Sequence, residues 1–366
     1  MRVINRIKEL LHKKRFYANS EGLAVEEFQC AQRLSLQTLS RTEKLVVTDL
    51  WGGVVYKTPI GFPGYALFKH YYGFNAEYVP MSYAFPWVLR VLTRVDYARV
   101  FVNKCMTYNY FFNVGQPRLI GRVVNGCYFL GKTLVDKQQF LEGISTSSCD
   151  MIAKLSAGSC GGRSIQFISS HSTRDEIMSV VDSYSGDFLI QERVKQHPFS
   201  AQFNPSSLNT FRITTLLLNG RFSLLTAMIR FGHPGSVVDN LGAGGGCVGV
   251  NDDGTLMKLG FNNLCYQIHE WNGVKFEGLT VPSFDALIET CRKAHYDIPM
   301  CALVGWDVAL LEDGTSVLIE ANLDMPGVFF EQMANARPLF RDRFSEVMAY
   351  VRAHPLPLEP LFDTTN

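Results

Sequence analysis

Two short, largely apolar runs, 305–310 and 315–322, carry Asp307 between Trp306 and Val308 and Glu320 and Asn322 around Ala321, and Asp313-Gly314 joins the two runs. Period-two alternation marks half-buried strands, and Asp-Gly marks a tight hairpin turn. A two-residue turn there places Asp307 opposite Glu320, and the pleat puts Asn322 on the face they share. The opposite face carries Trp306, Val308, Leu310, Val317, Ile319 and Ala321. The hairpin is therefore predicted to bury one face and to present three oxygen-bearing side chains on the other. An ordinary solvated outer face would show the same alternation.

Elsewhere the pattern predicts a mixed architecture. Residues 1–100 read as mainly helical, with aromatic-rich connections at Phe62-Pro63-Gly64-Tyr65 and Tyr78-Val79-Pro80. A further helix over 96–112 carries Lys104. A strand and turn follow over 121–130, a short helix over 137–142, and a strand over 151–155. That strand runs into the glycine-rich segment 156–163, after which come a strand over 164–169, a helix over 175–183 and a buried strand over 188–194. Runs over 210–218 and 221–231 flank Asn219-Gly220, a second hairpin signal. Residues 242–249 read as a glycine-rich loop, and 337–353 as a helix ended by Pro355 and Pro357. The chain shows no repeat, low-complexity tract or flexible linker.

Composition narrows the function classes. The 366 residues are 47% hydrophobic and 19% charged, enough for a substantial core in two or three lobes. A formal net charge of +1 gives no global field toward nucleic acid or an acidic membrane. No run is long and apolar enough to span a bilayer. Residues 1–15 fit a basic amphipathic surface helix, with at most weak membrane contact. The nine cysteines are scattered without a CxxC pair, which predicts reduced thiols and a cytoplasmic location. Cys160 has no evident histidine partner and reads as a small packing residue.

Four segments carry candidate chemistry. Lys154 ends a strand before Ser156, Gly158, Gly161 and Gly162. Glycines allow backbone N–H groups to approach phosphate oxygens, and the lysine adds a point charge. The Walker pattern is absent, and a flexible turn would look similar. Gln191, Glu192 and Val194 end a buried strand whose edge suits an adenine, or is an ordinary strand end. Arg212 and Arg230 lie on the second hairpin, where a strict two-residue turn puts them on opposite faces. Either a bulge corrects the register, or only one arginine faces the acids. Asp239-Asn240 precedes Gly242-Ala243-Gly244-Gly245-Gly246, a loop suited to touching an acceptor or a phosphoryl group, or simply a mobile surface loop. Asp307, Glu320 and Asn322 suit a hard cation such as Mg²⁺, which takes carboxylate oxygens together with substrate phosphates.

In order along the chain, these pieces resemble the ATP-grasp superfamily. The likeness is greatest to its sugar-transfer-associated family, through Gln196-His197-Pro198, Asn209-Thr210-Phe211-Arg212 and Val238-Asp239-Asn240 with trailing glycines. It covers about residues 75–340. Asn103-Lys104 departs from the usual Asp-Lys, and Cys160 and Arg163 depart from the usual small lid residues. The resemblance implies an α+β fold in which two α+β lobes hold ATP between them, preceded by a mainly helical region. The corresponding divisions are residues 1–100, a lid lobe at 101–195 and a C-terminal lobe at 196–366. It implies that Lys104 and Lys154 contact ATP phosphates and that residues 191–194 hold adenine. Asp307, Glu320 and Asn322 would bind Mg²⁺, while Arg212, Arg230 and Asn240 would serve the reacting groups.

The implied activity is an ATP-dependent carboxylate–amine ligase acting through an acyl phosphate, with sugar-linked small molecules as substrates and a homodimer as a common assembly. A kinase acting on a sugar hydroxyl, or a nucleotide-binding scaffold for a glycosyltransferase, would share much of the pattern. The acceptor pocket is expected from the N-terminal part and the loop 242–249, and the histidines are expected to be structural or to touch substrate.

Overall fold

The computed structural model describes residues 25–52, 54, 62–93, 98, 100–157, 164–323 and 326–354. The basic N-terminal segment, Gly158 to Arg163 of the glycine-rich loop, and Pro355 and Pro357 lie outside the described residues. The chain divides into two compact units, Met1–Val95 with Gly327–Asn366, and Asp96–Pro326. Residues 327–366, expected in a C-terminal lobe, thus group with the N-terminal helical region.

In the first unit, helices span Val25–Arg33, Arg41–Leu50 and Phe62–Tyr72. A capping box starts the second: Glu43 N–H donates to Ser40 Oγ and Ser40 N–H donates to the Glu43 carboxylate. Phe62-Pro63-Gly64-Tyr65, predicted as a connection, forms the first turn of the third helix, where proline is tolerated because its missing N–H would be unpaired anyway. A further helical stretch, Met81–Tyr83 and Arg90–Leu92 around a π-helical Ala84–Leu89, follows. From the far end of the chain, buried Gln332 accepts from Val79 N–H at 3.0 Å and donates to Val79 C=O at 2.9 Å. The helix expected over 337–353 begins later, as a 3₁₀ turn at Arg341–Arg343 and an α-helix at Phe344–Ala353. Pro338 disfavours helical backbone before it, and an unpredicted helix, Phe329–Asn335, ends at Ala336 in a left-handed conformation.

The second unit holds two antiparallel sheets. The first contains β1 (Leu119–Val124), β2 (Cys127–Leu130), β3 (Thr133–Val135), β4 (Met151–Leu155), β5 (Gln166–Ile168) and β6 (Phe188–Glu192), in the order β3-β2-β1-β6-β4-β5. Helices Lys137–Ser145 and Arg174–Ser183 supply Phe140, Ile144, Ile177 and Val181 to its core. The second contains β7 (Phe211–Leu218), β8 (Arg221–Phe231), β9 (Gly246–Val250), β10 (Leu256–Asn262) and β11 (Gln267–Ile268). A small separate pair, β12 (Glu270–Trp271) and β13 (Val274–Lys275), precedes β14 (Leu303–Leu310) and β15 (Ser316–Asn322). The order is β11-β10-β9-β8-β7-β14-β15. Helix Phe284–Asp297 supplies Leu287, Cys291 and Ala294 to the core of this sheet.

Three local expectations change. Lys104 lies in a turn before a short 3₁₀ segment, Thr107–Asn109, and not in a helix. Asn103 Oδ1 accepts from Cys105 N–H at 3.0 Å, a side-chain turn that competes with helix, and Lys104 N–H donates to Ser156 C=O at 2.8 Å. Second, half of the loop expected over 242–249 is strand β9, buried between β8 and β10. Gly246 is needed there because a Cβ would press on the Phe231 ring at 2.7 Å. Third, Cys30 and Cys265 each take part in a disulfide, against the expectation of reduced thiols throughout. Pairing depends on sulfur proximity in space, which chain spacing does not report. Cys105, Cys127, Cys149, Cys247, Cys291 and Cys301 are free.

Candidate functional site

The polar face of the second sheet is set by strand alternation. Phe211, Ile213, Ala227, Ile229, Phe231, Val304, Trp306, Val308 and Leu310 enter the core. Thr210, Arg212, Met228, Arg230 and Asp307 are the alternating residues, and they share the other face. A bulge between Thr214 and Thr215 brings both arginines there, since it pairs Arg212 with Met228 and Arg230 N–H with Thr210 C=O. Of the two alternatives open from sequence, the bulge is what the fold uses.

The hairpin of β14 and β15 does pair Asp307 with Glu320, but by a different route from the one predicted. Leu311 N–H donates to Thr315 C=O, so Glu312, Asp313 and Gly314 form a three-residue loop with Gly314 at φ +81°. A bulge beyond Val308 then restores the predicted register. Between these two irregularities Leu318 faces the core, in place of the predicted Val317 and Ile319. Gly305 has a separate requirement: a Cβ there would collide with the Pro326 carbonyl.

Four cations and three acids meet at this face. Arg212 grips Asp307 with two hydrogen bonds, Nε to Oδ1 at 2.7 Å and Nη2 to Oδ2 at 3.2 Å. Arg230 Nη2 lies 3.1 Å from Asp307 Oδ2 and donates to Thr210 Oγ1 at 2.6 Å. Asp239 Oδ2 accepts from Thr210 N–H at 2.9 Å and Thr210 Oγ1 at 2.5 Å, and lies 3.4 Å from Arg230. Asn322 Nδ2 donates to Asp307 Oδ2 at 3.2 Å. Lys104 Nζ stands 2.9 Å from Glu320 Oε1.

Burial alone would raise the Asp307 pKa, but the charges of Arg212 and Arg230 and the hydrogen bonds from Arg212 and Asn322 outweigh it, holding the carboxyl at about 2. Lys154 is the opposite case. Burial pushes its ammonium down to about 8, aided by nearby Lys104 and opposed by Glu320. Among the described residues its Nζ makes no hydrogen bond or ion pair. A buried ammonium is costly to keep charged unless an anion comes close to it.

The sequence matches the model of a family described as sugar-transfer associated ATP-grasp over residues 96–347. The chain belongs to that family. Its fold is the α+β ATP-grasp fold. No curated protein matches the sequence. Among solved structures it is similar to D-alanyl-alanine synthetase A from Vibrio cholerae, at 12% identity and a TM-score of 0.42, covering 70% of this chain and 66% of that one. It is also similar to the ATP-grasp ligase PsnB complexed with a phosphomimetic variant of its minimal precursor, Mg and ADP. There the identity is 12% and the TM-score 0.41, with 70% of this chain and 60% of that one covered. The chain thus spans a little under two thirds of the length of these two proteins.

Within the ATP-grasp frame the remaining predicted positions divide. Ser156 is buried beside Lys104, with its N–H donating to Asp187 C=O at 2.8 Å, while Gly158, Gly161 and Gly162 lie outside the described residues. Gln191 is buried and accepts from Tyr108 Oη at 3.2 Å. Glu192 turns back to Arg118, accepting from its N–H at 2.9 Å. Val194 is half-buried, and among the described residues neither its N–H nor its C=O makes a backbone hydrogen bond, so both edges remain available. Asn240 stands at the head of the 3₁₀ turn Leu241–Ala243. Its Oδ1 accepts from Gly242 N–H at 3.0 Å and shapes the loop, while Asp239, its neighbour, joins the arginines.

Sequence reasoning quoted Thr210 and Asp239 within motifs but assigned neither a role. The three family segments prove to be one hydrogen-bonded body. Gln196 Oε1 accepts from Asn209 N–H at 2.9 Å, Asn209 Nδ2 donates to Asn204 C=O at 2.8 Å, and Thr210 binds Asp239. His197 is structural, its Nδ1 accepting from Phe199 N–H at 3.0 Å. His295 is buried between Thr215 and the Cys301 carbonyl.

The donor set fits a hard cation. Asp307, Glu320 and Asn322 offer two carboxylates and one amide, and among the described residues no group of three His, Cys, Asp or Glu side chains could hold an ion unaided. Mg²⁺ commonly binds through one or two carboxylates and completes its shell with substrate phosphates.

Proposed function

We propose that this ATP-grasp protein is an ATP-dependent carboxylate–amine ligase that joins an amine or amino acid to a sugar acid or polysaccharide precursor. The supporting observation is the convergence of Lys104, Lys154, Arg212 and Arg230 on Asp307 and Glu320, with Lys154 buried and, among the described residues, making no hydrogen bond or ion pair. Lys154 and Lys104 take the polyphosphate, and the free backbone edges at Val194 take the adenine. Arg212 and Arg230 present planar donors to the carboxylate and to the phosphoryl group it receives. When bound at Asp307, Glu320 and Asn322, Mg²⁺ offsets charge building on the phosphoryl oxygens.

The substrate carboxylate attacks the γ-phosphorus, ADP leaves, and an acyl phosphate forms. The amine then attacks the acyl carbon and expels phosphate. This route needs no protein nucleophile, which agrees with the buried and hydrogen-bonded state of Cys105, whose thiol meets Phe188 C=O at 3.4 Å. A cytoplasmic location, sugar-linked substrates and a homodimer belong to the same proposal.

The test incubates the protein with ATP, Mg²⁺ and pairs drawn from sugar acids and amino acids, and follows nucleotide and phosphate. ADP and free phosphate that require both partners support the ligase. ADP without free phosphate makes the protein a kinase, and AMP with pyrophosphate overturns the acyl-phosphate route.

A further inference from the structure

Of the three acids at the polar face of the second sheet, the cation reading uses two, Asp307 and Glu320. The third, Asp239, is engaged through one oxygen only. Its Oδ2 accepts from Thr210 N–H at 2.9 Å and from Thr210 Oγ1 at 2.5 Å, and lies 3.4 Å from Arg230 Nη2. Among the described residues its Oδ1 makes no hydrogen bond or ion pair, and the side chain is 16% exposed. A carboxylate has about four lone-pair sites shared between its oxygens, so half of this group is open to a donor from outside the chain. The backbone on either side is fixed. Thr210 leads directly into β7, and Asn240 C=O accepts from Ala243 N–H at 3.0 Å and from Gly245 N–H at 3.3 Å. A Cβ on Gly245 would press on the Phe231 carbonyl at 2.5 Å, so the loop needs glycine there. Arg230 Nη2 joins Asp239 to the rest of the site, since the same nitrogen lies 3.1 Å from Asp307 Oδ2.

We propose that Asp239 receives the amine substrate, accepting an N–H through Oδ1 and taking the proton as the new C–N bond forms. The proposal rests on the carboxylate–amine ligase reading and adds the residue that serves its second half-reaction. In that reading Arg230 holds the phosphoryl end of the acyl phosphate, so an amine on Asp239 stands beside the acyl carbon. The amine attacks as the neutral form, and its nitrogen lone pair makes the C–N bond. Nitrogen in the resulting tetrahedral adduct is cationic, and its N–H is far more acidic than that of a free ammonium. One proton passes to Asp239 Oδ1. The C–O bond to phosphate breaks, its electron pair leaves on the phosphate oxygen, and the amide remains. Asp239 then returns the proton to solvent. A positioned base of this kind contributes about 10²–10⁴-fold. The contacts on Oδ2 set the direction of Oδ1 without occupying it.

The test separates the two half-reactions. Hydroxylamine is strongly nucleophilic yet weakly basic, so it traps an acyl phosphate as a hydroxamate without help from a base. The full-length protein, ATP and Mg²⁺ are incubated with a panel of hexuronic acids, and with either hydroxylamine or amino acids as the nitrogen partner. Asp239→Asn keeps an acceptor oxygen for Thr210 but cannot take the proton. It is expected to form hydroxamate within about threefold of wild type and to lose amide formation by about a hundredfold or more. Asp239→Glu moves the carboxylate by one methylene and is expected to lose at least about tenfold, in amide formation alone. Circular dichroism checks that each variant is folded. Equal loss of hydroxamate and amide in the folded variants makes Asp239 a brace for Arg230, which overturns the proposal and leaves the ligase reading standing. So does amide formation unchanged in both. Wild type that yields hydroxamate from no acid of the panel removes the acyl-phosphate reading, and the proposal with it.

Discussion

Replacing Lys154 with methionine removes a charge that the free protein holds at a cost. Burial lowers this ammonium from its ordinary 10.5 to about 8, and a shift of that size corresponds to roughly 3 kcal/mol of destabilisation of the charged form. The folded-state pKa lies below the unfolded value, so the folded chain binds fewer protons between about pH 8 and 10.5. The penalty is therefore complete below pH 8 and fades as pH rises through that window.

Methionine keeps the length and apolar stem of the side chain, so Lys154→Met is expected to be more stable than wild type at pH 7, by up to roughly 3 kcal/mol, with the difference shrinking toward pH 10. The same change is expected to weaken ADP binding at least tenfold, because the buried point charge for phosphate is lost. Urea unfolding at pH 7 and pH 10 measures the first effect, and calorimetric titration with ADP the second. Calorimetry in buffers of different ionisation enthalpy adds a third readout: near pH 8.5 wild type takes up part of a proton on binding ADP, and the variant does not. A variant that is less stable at pH 7 yet binds ADP as tightly as wild type would refute the reasoning.

Other perturbations follow from the same structure. Asp307→Asn removes the buried carboxylate that Arg212 and Arg230 share and is expected to cost about 3–5 kcal/mol in urea unfolding. The wild-type Asp307 carboxyl, held at about 2 against an ordinary 3.8, contributes stability above pH 4 that is lost as pH falls from about 4 toward 2, and acid titration by circular dichroism reads that slope. His295 is held by burial at about 4, below its ordinary 6.5. The folded protein therefore resists protonating it, and roughly 3 kcal/mol of stability is expected to disappear as pH falls from 6.5 to 4, a slope that His295→Gln removes. Gly305→Ala drives a methyl into the Pro326 carbonyl and is expected to lower stability by about 1–3 kcal/mol, visible as a reduced melting temperature, although alanine suits a strand at least as well as glycine does.

Much of the site's local logic was legible in the chain. Alternation around Trp306, Val308 and Leu310 put Asp307 on the polar face, and β4 runs over the predicted residues. Helix Phe284–Asp297, absent from the elements expected above, is also written in the chain, through the helical spacing of Phe284, Leu287, Cys291 and Ala294. What alternation cannot carry is a bulge. One extra residue near Thr214 decides whether Arg230 faces the acids, and one beyond Val308 decides whether Leu318 or Ile319 enters the core. Nor does spacing show that Asn240 closes its own loop while Asp239 reaches Arg230.

The sequence by itself determined most of the strands, the polar side of Asp307 and the family, because these depend on short-range periodicity and on residue types in order. The tertiary structure alone decided the pairing of charges. Arg212 and Asp307 are far apart along the chain and become neighbours only because β7 and β14 are hydrogen-bonded side by side. Lys104 and Glu320 come from still more distant segments, and Lys154 becomes a buried cation only when the chain closes around it. Coulomb energies and desolvation depend on distance and burial, and neither is written in the order of residues.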